Sequence, residues 1–149
     1  MNVRLRVDYA SQRPAPGRRT LARWAQAALA GLRRRAVAIG VRIVNERESA
    51  ALNARYRGKA GSTNVLSFPF EAPPGARTDL LGDLVICAPV VAREARNQGK
   101  SPRAHWAHMV VHGIMHLRGY DHRTRREAAL MERREAAVLR RLGYSDPYA

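Results

Sequence analysis

Residues 112–122 constrain this chain more than any other stretch. The run His112-Gly113-Ile114-Met115-His116-Leu117-Arg118-Gly119-Tyr120-Asp121-His122 holds three of the five histidines. Spacing of four puts His112 and His116 on one face of a helix, one turn apart. Gly119 is suited to end that helix and fold the chain back, so that His122 reaches the same point in space. Three neutral imidazoles converging there, with no fourth protein ligand nearby in sequence, describe a catalytic zinc-type site with an open position. A chain built this way needs a helix, a tight reversal and a return segment held rigidly together, which only a packed domain provides.

The spacing equals that of the metzincin protease signature, except that Gly113 stands where those enzymes carry glutamate. In metalloproteases that glutamate is the general base, and glycine cannot replace it. Three neutral ligands also leave the charge of a divalent ion uncompensated, which favours an anionic substrate such as a phosphodiester and lowers the pKa of bound water. Gly113 itself is expected to let a substrate backbone come close to the helix.

His105, His108, His112 and His116 fall within a stripe of about 80° on an ideal helix. His112 and His116 are the expected ligand pair because Gly119 and His122 follow at the right distance. His105 and His108 lie further back and are expected to be core, supporting or substrate-facing residues.

Val3, Leu5, Val7 and Tyr9 alternate with Arg4, Arg6 and Asp8, as in a half-exposed strand. Leu21, Trp24, Ala28 and Leu32 recur at helical spacing. Val37, Ile39, Val41 and Ile43 alternate as a second strand. Asn45 with Glu48 reads as a capping box opening a helix through Leu52 to about Tyr56. The apolar runs 65–68 and 84–87 read as third and fourth strands. Pro89 and Gly99 bracket one helix. Ser101-Pro102 opens the next, which runs to about Leu117 and carries the histidines. Thr124 and Glu127 open a last helix, ending near Gly143. Residues 71–79, with Pro73-Pro74-Gly75, are the longest stretch expected to be disordered. The pattern predicts one α+β domain over 1–149: a small mixed four-stranded sheet with about five helices, its metal site on a C-terminal-half helix and the following turn.

The chain has 149 residues and a formal charge of +15 from 27 basic and 12 acidic residues. Such a surplus implies an anionic partner, nucleic acid before membrane surface. Nearly all of it is arginine; Lys59 and Lys100 are the two lysines, and abundant alanine alongside points to a contribution from genome base composition. No apolar run is long enough to span a membrane, and the strand-like start has no signal-peptide core. The single cysteine, Cys87, excludes an internal disulfide and fits a reducing cytosol, with Cys87 as a small buried hydrophobe. A cytoplasmic location follows as the expectation.

The histidine segment resembles the signature of the YbeY family of bacterial endoribonucleases. Further segments carry the resemblance: Leu52-Asn53 with Tyr56-Arg57-Gly58-Lys59, Thr63-Asn64-Val65-Leu66-Ser67-Phe68-Pro69-Phe70, Leu81-Gly82-Asp83, His105-Trp106-Ala107-His108, Leu142-Gly143-Tyr144 and Pro147-Tyr148. It extends from about Val41 to the end, whereas the first forty residues match in pattern only and residues 71–79 give no clear match. The resemblance implies a mixed sheet with surrounding helices, a metal on three histidines, and cleavage of single-stranded RNA. It further implies roles in 16S rRNA 3′-end maturation and ribosome quality control. By position it assigns His112, His116 and His122 as metal ligands, with His112 also catalytic, and puts the cleft arginine at Arg57. The partners implied are ribosomal RNA, the small ribosomal subunit, one of its proteins and a ribosome-assembly GTPase.

Arg57 suits that role, since a guanidinium fork holds two non-bridging phosphate oxygens and never deprotonates. Lys59 is a plausible second phosphate contact. Asp121, beside a ligand, is a candidate acceptor for an imidazole N–H. Asn64, Ser67 and Asp83 read as structural, and the arginines of the last helix as a solvated face. Zinc leads as the ion, with nickel and manganese open. The general base is unassigned, and cleavage by hydrolysis or through the ribose 2′-hydroxyl both stay open. Two rival readings remain: a non-catalytic RNA-binding assembly factor with a structural metal, and a metalloprotease lacking its glutamate.

Overall fold

The alternating and helical patterns become four strands and five helices in the computed structural model, which describes residues 1–149. In chain order they are β1 (Asn2–Tyr9), α1 (Arg18–Ala28), β2 (Ala36–Val44), α2 (Glu46–Arg57), β3 (Val65–Pro69), β4 (Leu80–Cys87), α3 (Ala88–Gln98), α4 (Pro102–Leu117) and α5 (Arg125–Arg141). The sheet order is β1-β2-β4-β3. β1 and β4 run parallel to β2, while β3 pairs antiparallel with β4, Ser67 opposite Leu84. This is the α+β class with the mixed sheet and five helices that the pattern predicts. β3 is therefore an edge strand, and the histidine helix packs over it and β4.

One face of the sheet carries the main core. Val37, Ile39, Val41 and Ile43 of β2 meet Leu21 and Trp24 of α1 and Val111, Ile114 and Met115 of α4. Burying a large aliphatic side chain contributes about 1.5–3 kcal/mol, so this layer fixes α4 against the sheet. α4 is enclosed nearly all round, with His112 and His116 among its few partly exposed positions. The other sheet face is covered in part by α2, where Leu52 packs with Leu66, Phe68 and Val85.

The caps divide the expectations. Ser101 Oγ accepts from the Ala104 amide at 3.1 Å and Thr124 Oγ1 from the Glu127 amide at 3.1 Å, so both helices start where the motif places them. The Asn45–Glu48 capping box does not form. Asn45 Oδ1 instead accepts from Ser11 Oγ at 2.6 Å, and Glu48 accepts from Arg42 Nη2 at 2.9 Å. The guanidinium of Arg42, on the preceding strand β2, outcompetes a neutral backbone amide for that carboxylate, and it holds Glu48 below the usual carboxylate range. α1 stops at Ala28, short of Leu32, which packs against the core from the turn beyond. β4 starts at Leu80, earlier than its apolar run implied. Residues 71–79 form an exposed connection without helix or strand, tied at its end by Asp79 to Arg4 at 3.0 Å.

Candidate metal centre and its cleft

The C-terminal end of α4 positions two imidazoles and the turn after it delivers the third. Gly119 adopts φ +98°, a left-handed backbone that a β-carbon disfavours. The Tyr120 amide then bonds back to the Met115 carbonyl at 3.0 Å. The reversed chain brings His122 to the α4 pair: ring centroids lie 4.7 Å apart for His112–His116, 5.0 Å for His116–His122 and 6.1 Å for His112–His122. One ring nitrogen from each lies within 4.8 Å of the others.

Which nitrogen is free follows from what the other one does. His112 Nδ1 lies 3.1 Å from Glu135 Oε1, and His116 Nδ1 lies 3.0 Å from the Tyr120 carbonyl oxygen. Both oxygens accept, so Nδ1 carries the proton and Nε2 is left with its lone pair for an ion. His122 Nδ1 lies 3.5 Å from Asp121 Oδ1, the same sense at a looser distance. Burial, with the neighbouring His112 and His122, pushes the His116 pKa below its ordinary value of 6.5, which keeps it in the neutral form that binds metal. Three nitrogen donors so arranged fit a zinc-type ion with a position left toward solvent.

The same cleft, about 420 Å³, is lined by Arg57 and Lys59 with Asn64, Ser67 and all three histidines. Arg57 closes the C-terminal end of α2, and Lys59 follows at its turn; both side chains are exposed. The structure thus brings the predicted phosphate-binding cations into the same cleft as the histidines. Basic groups there, with an ion if the histidines hold one, would give the cleft a concentrated positive field, which suits a phosphodiester.

Three expectations change. Gly113 does not face substrate. It is buried against the sheet, and a β-carbon on it would lie 2.8 Å from Leu84 Cδ2 and 3.2 Å from Val65 Cγ2. Glycine is required there because α4 sits so close to β3 and β4, and Ser67 Oγ donates to the Gly113 carbonyl at 3.1 Å across that contact. Any longer side chain at 113 is aimed at Leu84 and Val65 first, so this backbone offers no place for a protease-type glutamate. Asp121 is the second change. Besides facing His122 Nδ1, its Oδ1 accepts the His122 backbone amide at 2.8 Å and its Oδ2 accepts Arg123 Nε at 3.0 Å, so it shapes the turn as well. The amide bond, then Arg123, holds its pKa below the usual range.

Third, the triad is not electrically alone. Glu135 of α5 is fully buried beside it, and Oε1 accepts from His112 Nδ1, His108 Nε2 at 3.2 Å and Tyr148 OH at 2.9 Å. Burial alone would raise its pKa, but the hydrogen bonds from His108 and His112 outweigh it and bring it to about 2. The carboxylate is ionised and would partly offset the charge of an ion held by the histidines. Sequence reasoning missed it, although a signal was present: Glu135 occupies an apolar position of α5, four residues after Met131 and four before Leu139. His105 and His108 are buried supports, as expected. His105 Nε2 meets Glu94 Oε1 at 2.9 Å, and Glu94 in turn accepts from Asn64 Nδ2 at 3.2 Å. Asp83 stands on the opposite sheet face over Gly40, away from the histidines, as a structural residue.

Comparison with known proteins adds an independent line. The sequence model of a family described as Endoribonuclease YbeY matches residues 9–143. A Methylococcus capsulatus protein named Endoribonuclease YbeY is 56% identical, over 98% of this chain and 95% of the relative. Relatives of the same name from Nitrosococcus oceani and Alkalilimnicola ehrlichii are 50% and 57% identical, covering 99% and 85% of this chain and 98% and 78% of their own lengths. A Thermotoga maritima protein solved in solution superposes with a TM-score of 0.57 at 24% identity, over 96% of this chain and 97% of that one, a likeness of fold.

Proposed function

The chain belongs to the YbeY family of endoribonucleases, and on that premise we propose that its cleft between β3 and α4 cuts single-stranded RNA at a metal held by His112, His116 and His122. The substrate is ribosomal RNA, at the 3′ end of the 16S precursor and in discarding faulty ribosomes. The setting is the cytoplasm, beside the small subunit with one of its proteins and an assembly GTPase. No helix is long and apolar enough to cross a membrane. The observation that carries the reading is the shared cleft, lined by the three imidazoles together with Arg57 and Lys59.

An ion bound there, zinc by donor chemistry with nickel or manganese as substitutes, supplies Lewis acidity toward a phosphoryl oxygen and lowers the pKa of water. Every other task falls to the chain. Arg57 forks two non-bridging oxygens of the scissile phosphate, gaining strength as charge gathers on them in the transition state. Lys59 holds an adjacent phosphate as a point charge. His112 presents Nε2 to the site while its Nδ1–H stays on Glu135. Single strands fit better than a duplex because the attacked phosphate must enter a recess between a strand edge and a helix.

The test is cleavage of a labelled 16S 3′-end fragment by wild type, His112→Ala and Arg57→Ala, with metal content measured on each. His112→Ala is expected to lose both metal and cleavage. Arg57→Ala is expected to keep its metal and lose about 10²–10³-fold in rate, the scale of removing one transition-state donor. Full activity in Arg57→Ala, or cleavage by metal-free His112→Ala, overturns the assignment. A folded, RNA-binding, metal-loaded wild type that cuts nothing would instead make the protein an assembly factor with a structural metal.

A further inference from the structure

Glu135 is an expensive residue to keep for stability alone. It is a carboxylate with 0% exposure. Three donors crowd onto Oε1, while Oε2 is buried with no partner at all. His108 Nδ1 is buried and unpartnered as well. Desolvated charges and orphaned polar atoms each destabilise a fold, and an apolar residue of similar volume commonly serves the core better. The cluster also recruits distant parts of the chain: His108 from one turn back on α4, Glu135 from α5, and Tyr148 from the C-terminal segment, which lies with its ring 5.3 Å from that of His108. All of this converges on one atom, Glu135 Oε1, which is the acceptor for His112 Nδ1–H.

We infer that Glu135 is the positioning residue of the metal centre: it fixes the tautomer and aim of His112 and strengthens its Nε2 as a donor, while His108 and Tyr148 hold the carboxylate in place. The inference rests on the metal reading above and assigns it a part outside the ligand set. A carboxylate behind a ligating imidazole polarises the ring, because the charge it takes from Nδ1–H reappears as basicity at Nε2. His108 Nε2, at 3.0 Å from Tyr148 OH as well as 3.2 Å from Glu135, stops the carboxylate from turning away. His116 has a neutral carbonyl in the corresponding place and His122 a loosely placed Asp121. The three ligands are therefore unequal, and His112 is the strongest donor.

Glu135→Gln and Glu135→Leu test this, with zinc or cobalt affinity measured by chelator competition and helix content checked on each. Loss of a supporting carboxylate weakens binding by about 10–100-fold in comparable sites. Leu, which removes both the acceptor and the charge, is expected at the upper end, and Gln, which can keep an acceptor, at the lower. A merely structural Glu135 would lower thermal stability in both variants and leave the metal dissociation constant unchanged, which overturns the inference. The second measurement needs no variant. In metal-free wild type, nitrogen-15 shifts of the His112 ring should report protonation at Nδ1; protonation at Nε2 refutes it. Binding of two ions per chain would also refute it, by making His108, His112 and Glu135 a second metal site. Loss of metal in His112→Ala with normal affinity in both Glu135 variants sinks this inference alone and leaves the proposed function standing.

Discussion

Gly113→Ala adds a single carbon at the point where the motif and the fold meet. Helix propensity favours the change: alanine is better than glycine by about 1 kcal/mol in a helix interior. Local space opposes it. The new carbon would sit 2.8 Å from Leu84 Cδ2 and 3.2 Å from both Leu84 Cδ1 and Val65 Cγ2. Leu84 is 0% exposed, so it has no solvent to retreat into. Either Leu84 repacks or α4 moves outward from β3, at a typical overpacking cost of about 1–3 kcal/mol. The net expectation is a loss of about 1 kcal/mol, or about 2–4 °C in Tm for a domain of this size. Moving α4 outward also displaces the adjacent His112 and stretches the 3.1 Å bond from Ser67 to the Gly113 carbonyl. Misplacement near 1 Å costs up to about 100-fold in rate, so kcat should fall more than RNA affinity. Urea denaturation and single-turnover cleavage read the two effects. A variant stabilised by the full propensity gain would refute close packing at residue 113. One of unchanged stability that loses RNA affinity alone would restore the view that this glycine makes room for substrate.

Acid should act on the centre in two windows, each set by a depressed pKa. The folded-state pKa of His116 lies below 6.5 through burial and its histidine neighbours. Its stabilising neutral form is complete above pH 6.5 and is lost as pH falls below that value, so stability of metal-free protein and metal affinity should decline together there; a flat affinity from pH 7 to 5 would contradict it. Glu135, at about 2 against 4.5, contributes above pH 4.5 and loses its contribution as pH falls toward 2, on the order of 3 kcal/mol. The stability gap between wild type and Glu135→Gln should close across that window in urea titrations. RNA binding should weaken linearly in log affinity with log salt, and Arg57→Ala or Lys59→Ala should each reduce the slope by about 0.7; an unchanged slope removes that residue from the phosphate track. Chelation should abolish cleavage but leave the protein folded, since the core is a cluster of 26 apolar residues and the three ligands are only partly buried or exposed. Unfolding on chelation would make the metal structural.

Local rules made much of this protein legible from sequence. Period-two alternation found β1 and β2, and short apolar runs between turn residues found β3 and β4. Ser101 and Thr124 marked two helix starts, and the 112–122 spacing with Gly119 placed three imidazoles together, because helical period and glycine turns operate within a few residues. Asn45 and Glu48 show where such rules fail: the same local pattern had a competitor in Arg42, which lies on the preceding strand β2 and turns its guanidinium onto the Glu48 carboxylate.

Residue types and spacings within 112–122 were thus enough to determine a three-histidine centre and its helix. Only tertiary structure decided which way Gly113 faces, since a helix has a substrate side only after the sheet has taken the other. It also decided that Arg57, 55 residues before His112, lines the same cleft. The charge behind His112 was settled the same way. Glu135 is one acidic residue among 12 in the sequence, and it becomes part of the centre because α5 crosses α4 at His108 and His112, a contact that no local spacing encodes.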